Sequence, residues 1–104
     1  MNPTVLLVLD DTAYRDRLTD ALKQFNCQVL PVRSAHSALI VLRQFPGIID
    51  LLITAPELTG MSGDQLSRVA LREREHLRSI ILRESMDDLL HEVRASLDPA
   101  QLQN

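Results

Sequence analysis

The sequence predicts an α/β fold, with an open parallel sheet of about four strands and helices on both of its faces. Short apolar runs alternate with amphipathic segments along most of the chain's 104 residues, which is the pattern of successive β/α units. Two of these runs, "TVLLVLD" and "IIDLLIT", are almost continuous in Val, Leu and Ile, as is typical of strands buried on both faces. Right-handed crossovers between such strands place helices on both faces of the sheet.

The first half of the chain supplies two of these units. "TVLLVLD" is predicted to be a central strand, and "TAYRDRLTDALKQF" a helix with Leu18 and Leu22 on its apolar stripe. "CQVLPVR" contains Pro31, which cannot donate a ladder hydrogen bond, so this strand is expected at an edge of the sheet. Ser34 is expected to cap the helix "AHSALIVLRQF", which the dipeptide "PG" terminates.

The second half supplies two further units. "IIDLLIT" is predicted to be a strand, and a loop through Gly60 and Gly63 leads into the third helix. "RSIILR" is the fourth apolar run, and "SMDDLLHEVRASLD" is the last helix, in which Ser85 and Asp88 resemble a capping box. Pro99 ends this helix, and residues 99–104 are expected to be frayed.

Composition limits the classes of function. The length fits one domain, residues 1–104, and a single cysteine, Cys27, predicts neither disulfides nor secretion, so a cytoplasmic protein is expected. No apolar run is long enough for a membrane helix. The net charge is −3 and the arginines of residues 68–78 are interleaved with glutamates, which indicates a solvated helix face rather than a nucleic-acid surface.

Acidic residues follow the first buried strand. Asp10 and Asp11 stand at its carboxyl end, and residues 54–57 stand at the carboxyl end of the third. Sites in open α/β sheets lie at these ends, and adjacent carboxylates there suit a hard cation such as Mg²⁺. Asp11 alone is explained equally well as a helix cap.

These residues resemble the receiver domain of bacterial response regulators. The resemblance is carried by "VLLVLDD", "DLLIT" and "LTGMSG", and covers residues 4–63 closely and the region up to 98 more loosely. It implies a flavodoxin-like fold, Mg²⁺ binding through Asp10 and Asp11, and transfer of a phosphoryl group from a histidine kinase to an aspartate. Ala55 stands where that acceptor aspartate belongs.

The chain departs from the receiver pattern in three ways. A methyl group cannot accept a phosphoryl group, and Pro56 removes a backbone N–H beside Ala55. One β/α unit is also missing. "IILRES" aligns with either the fourth or the fifth strand of a receiver, so Arg83 replaces either the switch Thr or Ser or the Lys that precedes the last helix.

The remaining side chains of the expected pocket offer poor substitutes for the acceptor. Thr54 has no general base in reach. Glu57 would need to turn its carboxylate inward, because in receivers this position offers its carbonyl to the metal.

Two apolar surfaces are candidates for protein contacts. On the second helix, Ile40 and Val41 widen the apolar face beyond what one buried stripe requires; neighbouring loops covering them is an equally good explanation. Loss of a β/α unit would leave Ile80, Ile81 and Leu82 in an uncovered edge strand, which proteins usually pair or cover. Pairing with a second copy, edge to edge or by exchange of the last helix, would cover it.

The sequence therefore predicts a phosphorylation-independent pseudo-receiver. It would be a protein-protein interaction module rather than an enzyme, a homodimer that engages a histidine kinase, a regulator or a similar partner. No cofactor is required in this interpretation, and any Mg²⁺ binding is weak. The alternatives are an active phosphoacceptor that uses Glu57 or another carboxylate with Mg²⁺, and an inhibitory subunit that captures the kinase of a true receiver.

Overall fold

A computed structural model describes residues 2–83 and 85–97. The expectation that residues 99–104 are frayed lies outside these residues. Within them the strands, in chain order, are β1 (Thr4–Val8), β2 (Gln28–Val32), β3 (Leu51–Thr54), β4 (Glu57–Leu58), β5 (Met61–Ser62) and β6 (Arg78–Ile81). The helices are α1 (Thr12–Gln24), α2 (Ala35–Gln44), α3 (Gly63–Glu73) and α4 (Met86–Leu97).

Four of the strands form the predicted parallel sheet, in the order β2-β1-β3-β6. β1 and β3 are interior strands whose residues are all buried, which explains why their sequences are apolar on both faces. β2 lies at an edge, as Pro31 predicts. The fold class is therefore the flavodoxin-like α/β class that the sequence indicates.

The loop after β3 contains a short hairpin that the sequence analysis does not predict. β4 and β5 pair antiparallel, with Glu57 opposite Ser62 and Leu58 opposite Met61. The turn between them uses Gly60 at φ 87°, a left-handed conformation that glycine adopts without steric cost. Strands of two residues are too short to show a hydrophobic period, so the sequence offers only the turn glycine as a signal.

The helices divide between the two faces of the sheet. One buried cluster joins β1, β3 and β6 to α1 and α4, through residues that include Leu18, Leu22, Leu89 and Val93. The other joins β1 and β3 to α2 and α3, through residues that include Ala38, Leu42, Leu66 and Ala70. Each face of the sheet is therefore covered by a pair of helices.

The position of α4 shows which part of a five-stranded sheet is missing. The connections through α2 and α3 advance across the sheet in the same direction, so right-handed crossovers put both helices on one face. A further crossover helix after β6 would lie on that face as well, whereas α4 lies on the α1 face. β6 therefore has the fourth place in the flavodoxin-like order 2-1-3-4-5, and a crossover helix and an edge strand are missing from the described residues.

Side-chain caps fix where the helices begin. The hydroxyl of Ser34 caps α2, as predicted. The carboxylate of Asp11 caps α1, which is one of the two explanations that the sequence leaves open. Ser62 caps α3 and forms a full capping box with Gln65, which the sequence analysis does not identify. At the start of α4, the Ser85 hydroxyl accepts a hydrogen bond from the backbone N–H of Asp88 at 3.3 Å.

Candidate functional site

The candidate site lies where β1, β3 and β6 reach the carboxyl edge of the sheet. The backbone N–H of Ala55 donates to the carbonyl of Val8 at 3.0 Å, and that of Leu82 donates to the carbonyl of Thr54 at 2.9 Å. The ladder thus continues one residue past the end of β3 and aligns the starts of three loops. These three loops contain the candidate site residues Asp10, Asp11, Ala55 and Arg83.

Ala55 has an apolar environment. Ala55 is 8% exposed and belongs to the same buried cluster as Leu9 and Leu82. Because Thr54 is the register partner of Ile81, the next position places Leu82 beside Ala55. The residue beside position 55 is therefore Leu82, which directly follows β6 and whose side chain donates no hydrogen bond.

Arg83 is not directed at Ala55. Its guanidinium forms an ion pair with Asp64 in the first turn of α3, with 3.3 Å between Nη2 and Oδ2, and both side chains are more than half exposed. From the sequence, Arg83 is expected at a switch or lysine position of the pocket, whereas the strand register puts Leu82 beside Ala55. A shift of one residue along a strand reverses the face that a side chain occupies, and sequence alignment alone does not resolve such a shift.

The acidic pair is exposed at the end of β1, and Asp11 acts as a helix cap. Its Oδ1 accepts a hydrogen bond from the backbone N–H of Tyr14 at 3.0 Å. Of the two explanations that the sequence leaves open for Asp11, capping is thus the one with an observed contact. Asp10 is exposed one residue earlier.

The donor set does not fit a Mg²⁺ site of the receiver type. Mg²⁺ requires near-octahedral oxygen ligands, usually including carboxylates held in fixed positions. Ala55 contributes no side-chain oxygen, and one oxygen of Asp11 is engaged by the helix. Across the described residues no group of three or more His, Cys, Asp or Glu side chains is placed to hold a metal ion.

The remaining pocket residues take part in backbone hydrogen bonds and strand pairing. Thr54 is fully buried and its hydroxyl donates to the carbonyl of Ala55 at 3.0 Å. Pro56 is exposed, and its carbonyl accepts from the N–H of Gly63 at 2.8 Å. Glu57 is exposed in β4, opposite Ser62. These contacts connect β3, the hairpin and the start of α3.

One basic side chain at this edge, that of Arg15, is not predicted from the sequence. Nη1 of Arg15, in α1, donates to the carbonyl oxygen of Leu9 at 2.7 Å, and Arg15 is half-buried. The contact spans six residues and depends on the angle at which α1 leaves β1, so no local pattern in the sequence predicts it.

The candidate interface residues differ in exposure. Ile40 is 43% exposed and Val41 is half-buried against the α2–α3 cluster. Ile80 and Leu82 are buried beneath the α1–α4 face, so their side chains are not available to a partner. Ile81 is half-buried and belongs to neither core cluster.

No helix in the described ranges, 2–83 and 85–97, combines the length and apolarity needed to cross a membrane.

The fold is similar to that of many solved receiver domains. A response-regulator receiver domain protein from Methanospirillum hungatei JF-1 matches over 100% of both chains, with 19% identity and a TM-score of 0.83. The receiver domain of the hybrid histidine kinase CckA matches 91% of this chain and 99% of its own, with 22% identity and a TM-score of 0.76. The response regulator TrrA from Thermotoga maritima, solved in complex with Mg²⁺ and BeF, matches the same shares with 18% identity and a TM-score of 0.75.

Comparisons of sequence alone are negative. No protein-family model matches the chain, and no curated protein sequence matches it significantly. The likeness is thus one of fold. The chain has the fold of a response-regulator receiver domain, and its described residues lack one crossover helix and one edge strand of that fold.

Proposed function

We propose that this protein is a phosphorylation-independent pseudo-receiver, a cytoplasmic protein-protein interaction module in bacterial two-component signalling. One observation carries the proposal: the position at the carboxyl end of β3 holds the buried methyl group of Ala55, packed in the cluster that contains Leu9 and Leu82. A methyl group has no lone pair with which to attack phosphorus. The apolar neighbours also provide no donor for a phosphoryl oxygen. In this proposal the chain is not an enzyme and requires no cofactor.

Intact-mass spectrometry tests the chemical part of the proposal. The purified chain is incubated with a small acyl-phosphate donor and Mg²⁺, beside a receiver that carries the acceptor aspartate. The control should gain the mass of one phosphoryl group, and this chain should gain none. Mg²⁺-dependent labelling that disappears in Glu57→Gln would overturn the proposal in favour of an active receiver with a substituted acceptor.

Restoring the carboxylate alone should not restore the chemistry. In Ala55→Asp the new side chain would face Leu9 and Leu82, Pro56 would still lack an N–H, and Arg83 would still be paired with Asp64. We expect the variant to remain unlabelled under conditions that label the control receiver. Efficient labelling of Ala55→Asp would show that only the nucleophile had been lost.

The surface proposed for interaction is the flank of the molecule formed by α3 and β6. The missing crossover helix would lie beside α3 on this face. Leu71 of α3 is 42% exposed, and Ile81 of β6 points to the same face because its neighbours Ile80 and Leu82 point to the other. Neither Leu71 nor Ile81 belongs to a core cluster. An apolar strip therefore adjoins the open edge of β6.

We propose a second copy of the chain as the occupant of this flank, giving a homodimer. The backbone groups of Arg78 and Leu82 pair with β3, so those of the alternate residues Ser79 and Ile81 face the open edge. Two such edges related by a two-fold axis pair antiparallel. If Ser79 lies opposite Ile81 of the second copy, Arg78 lies opposite Leu82, and no like charges face each other directly.

Sedimentation equilibrium of variants tests the dimer. Leu71→Glu and Ile81→Lys should shift the protein toward monomer, because each places a charge in the strip. Ile40→Glu, an equally exposed position on α2, is the matched control and should leave the assembly unchanged. A monomeric parent protein, or a dimer that only Ile40→Glu disrupts, would contradict this interface. A histidine kinase or another regulator would then be the partner to test on the α2 surface.

A further inference from the structure

We infer that a cavity between the β4–β5 turn and α3 binds an acidic segment of a partner protein, whose carboxylates pair with two arginines of α3. The cavity has a volume of about 310 Å³, at the small end of the range for ligand pockets. This size suits a few side chains of a docked segment. The cavity is lined by one residue of the turn, one of β5 and four of α3: Gly60, Met61, Gln65, Arg68, Val69 and Arg72.

The polar side chains that line the cavity offer hydrogen-bond donors. Arg68 and Arg72 carry guanidinium groups, which donate hydrogen bonds and accept none. The amide oxygen of Gln65 accepts from the backbone N–H of Ser62 at 2.9 Å, so the amide group that it leaves without an observed partner is the NH₂ donor. None of the described residues that line the cavity is acidic. The lining therefore suits a negatively charged ligand with several acceptor oxygens.

The acidic residues of α3 do not neutralise the two arginines of the cavity. Oε1 of Glu73 pairs with Nε of Arg43 in α2 at 3.1 Å, and Oδ2 of Asp64 pairs with Nη2 of Arg83 at 3.3 Å. Within the part of the chain that the structure describes, no acidic oxygen lies within 4.0 Å of a nitrogen of either cavity arginine. Both positive charges are thus open to a ligand.

The spacing of the two arginines favours an anion between them. Arg68 and Arg72 stand four residues apart on α3 and are both exposed, so their side chains are neighbours on the helix surface. Like charges at this spacing destabilise a helix, and a bound anion would remove that repulsion. A guanidinium holds a carboxylate through two parallel hydrogen bonds. Two carboxylates of one segment would therefore satisfy both arginines.

The cavity also has an apolar part. Met61 and Val69 are half-buried. Met61 packs against the α2–α3 cluster, whereas Val69 belongs to neither core cluster. An apolar side chain of the ligand would remove further apolar surface from water here. Carboxylates close to an apolar side chain are the chemistry of an acidic peptide segment.

A protein segment fits this cavity better than a nucleic acid. The net charge of −3 opposes a long polyanion, whose affinity depends on many phosphate contacts. The cavity shares no residue with the flank of Leu71 and Ile81 that is proposed for the dimer. The inference rests on the proposed function, because it names the partner of an interaction module, but the two fail separately. An acidic peptide that does not bind would leave the phosphorylation and dimer results unchanged.

The test measures binding of short, fluorescein-labelled synthetic peptides to the full chain by fluorescence anisotropy. The first peptide contains glutamates and leucines among alanines, the second has glutamine for each glutamate, and the third has alanine for each leucine. The protein variants are Arg68→Gln, Arg72→Gln and their combination. Arg94→Gln is the matched control, because Arg94 is exposed and, like Arg72, lies in the last turn of its helix.

The glutamate–leucine peptide should bind the parent protein at least about tenfold more tightly than the glutamine peptide, a difference of about 1.4 kcal/mol. Arg68→Gln/Arg72→Gln should lose this difference, each single variant should lose part of it, and Arg94→Gln should keep it. The peptide without leucine should bind more weakly, and Val69→Ala should reduce that effect. Arg68→Glu/Arg72→Glu should instead bind a lysine version of the first peptide, which would show that loss of binding is not loss of fold.

Several results would overturn the inference. They are an absence of binding, equal binding of the glutamate and glutamine peptides, and equal losses from Arg94→Gln and Arg68→Gln/Arg72→Gln. A single-stranded oligonucleotide that bound through the same two arginines more tightly than the glutamate–leucine peptide would assign the cavity to nucleic acid, and would overturn the inference as well.

Discussion

Gly63 lies against the carbonyl oxygen of Ala55, so closely that a Cβ atom at residue 63 would overlap it. The N–H of Gly63 also donates to the carbonyl of Pro56 at 2.8 Å. The start of α3 is thus docked onto the backbone at the end of β3. This close approach explains why the loop requires a glycine at residue 63 whatever side chain stands at residue 55.

Gly63→Ala should therefore destabilise the fold by about 2–3 kcal/mol, because the added methyl group meets rigid backbone. Urea unfolding followed by circular dichroism measures the change. Gly60→Ala is the matched control: a Cβ at this position meets no atom within 4 Å, and its φ of 87° is the only cost, about 1 kcal/mol. Equal losses from the two substitutions would contradict the steric argument.

Arg74 connects the end of α3 to the end of α2. Its guanidinium donates to the carbonyls of Leu42 at 2.9 Å, Phe45 at 2.6 Å and Gly47 at 2.6 Å. Arg74→Met should lower the free energy of unfolding by about 2–3 kcal/mol, since three carbonyls lose a charged donor. Arg72→Met, on the exposed side of the same helix, should change it by less than about 0.5 kcal/mol. Similar urea midpoints for the two variants would refute the role given to Arg74.

The capping box of α3 should contribute measurably to stability. Ser62 Oγ accepts from the N–H of Gln65 at 3.1 Å, and Gln65 Oε1 accepts from the N–H of Ser62 at 2.9 Å. Ser62→Ala should cost about 1 kcal/mol. Combining it with Gln65→Ala in a double-mutant cycle should reveal a coupling energy of about 0.5 kcal/mol or more. Strictly additive losses would mean that the two contacts act independently.

The stability of the protein should fall at alkaline pH because of Cys27. Burial, and to a lesser extent the negative charge of Asp50, raise the pKa of the Cys27 thiol above 9.0. Above pH 9.0 the unfolded chain releases this proton first, so the folded state binds more protons and its stability decreases as pH rises. Below pH 9.0 the thiol is protonated in both states, so the full stability is present and does not vary with the ionisation of Cys27. Urea unfolding from pH 8 to 10 should show a steeper loss for the parent protein than for Cys27→Ala; parallel curves would contradict it.

Much of the fold could be predicted from the sequence because its signals are local. The apolar runs of β1 and β3, Pro31 in the edge strand β2 and the caps Asp11 and Ser34 each act within a few residues. The order of elements then follows from chain connectivity and crossover handedness. The absence of a nucleophile at Ala55 is likewise a property of the side chain itself, and no fold alters it.

The tertiary structure decided those features that depend on contacts between distant parts of the chain. Whether Arg83 or Leu82 stands beside Ala55 is a matter of strand register, and a shift of one residue changes the face. The packing of α4 on the α1 face shows which helix and strand of a five-stranded sheet are missing from the described residues.

The contact of Arg15 with the Leu9 carbonyl is likewise not predictable from the sequence, because it depends on the angle at which α1 leaves the sheet. The sequence by itself determined which elements form and that a methyl group stands at residue 55, because those depend on residue type and short-range spacing. The tertiary structure decided which side chains meet at the edge of the sheet, because packing between distant elements sets those distances.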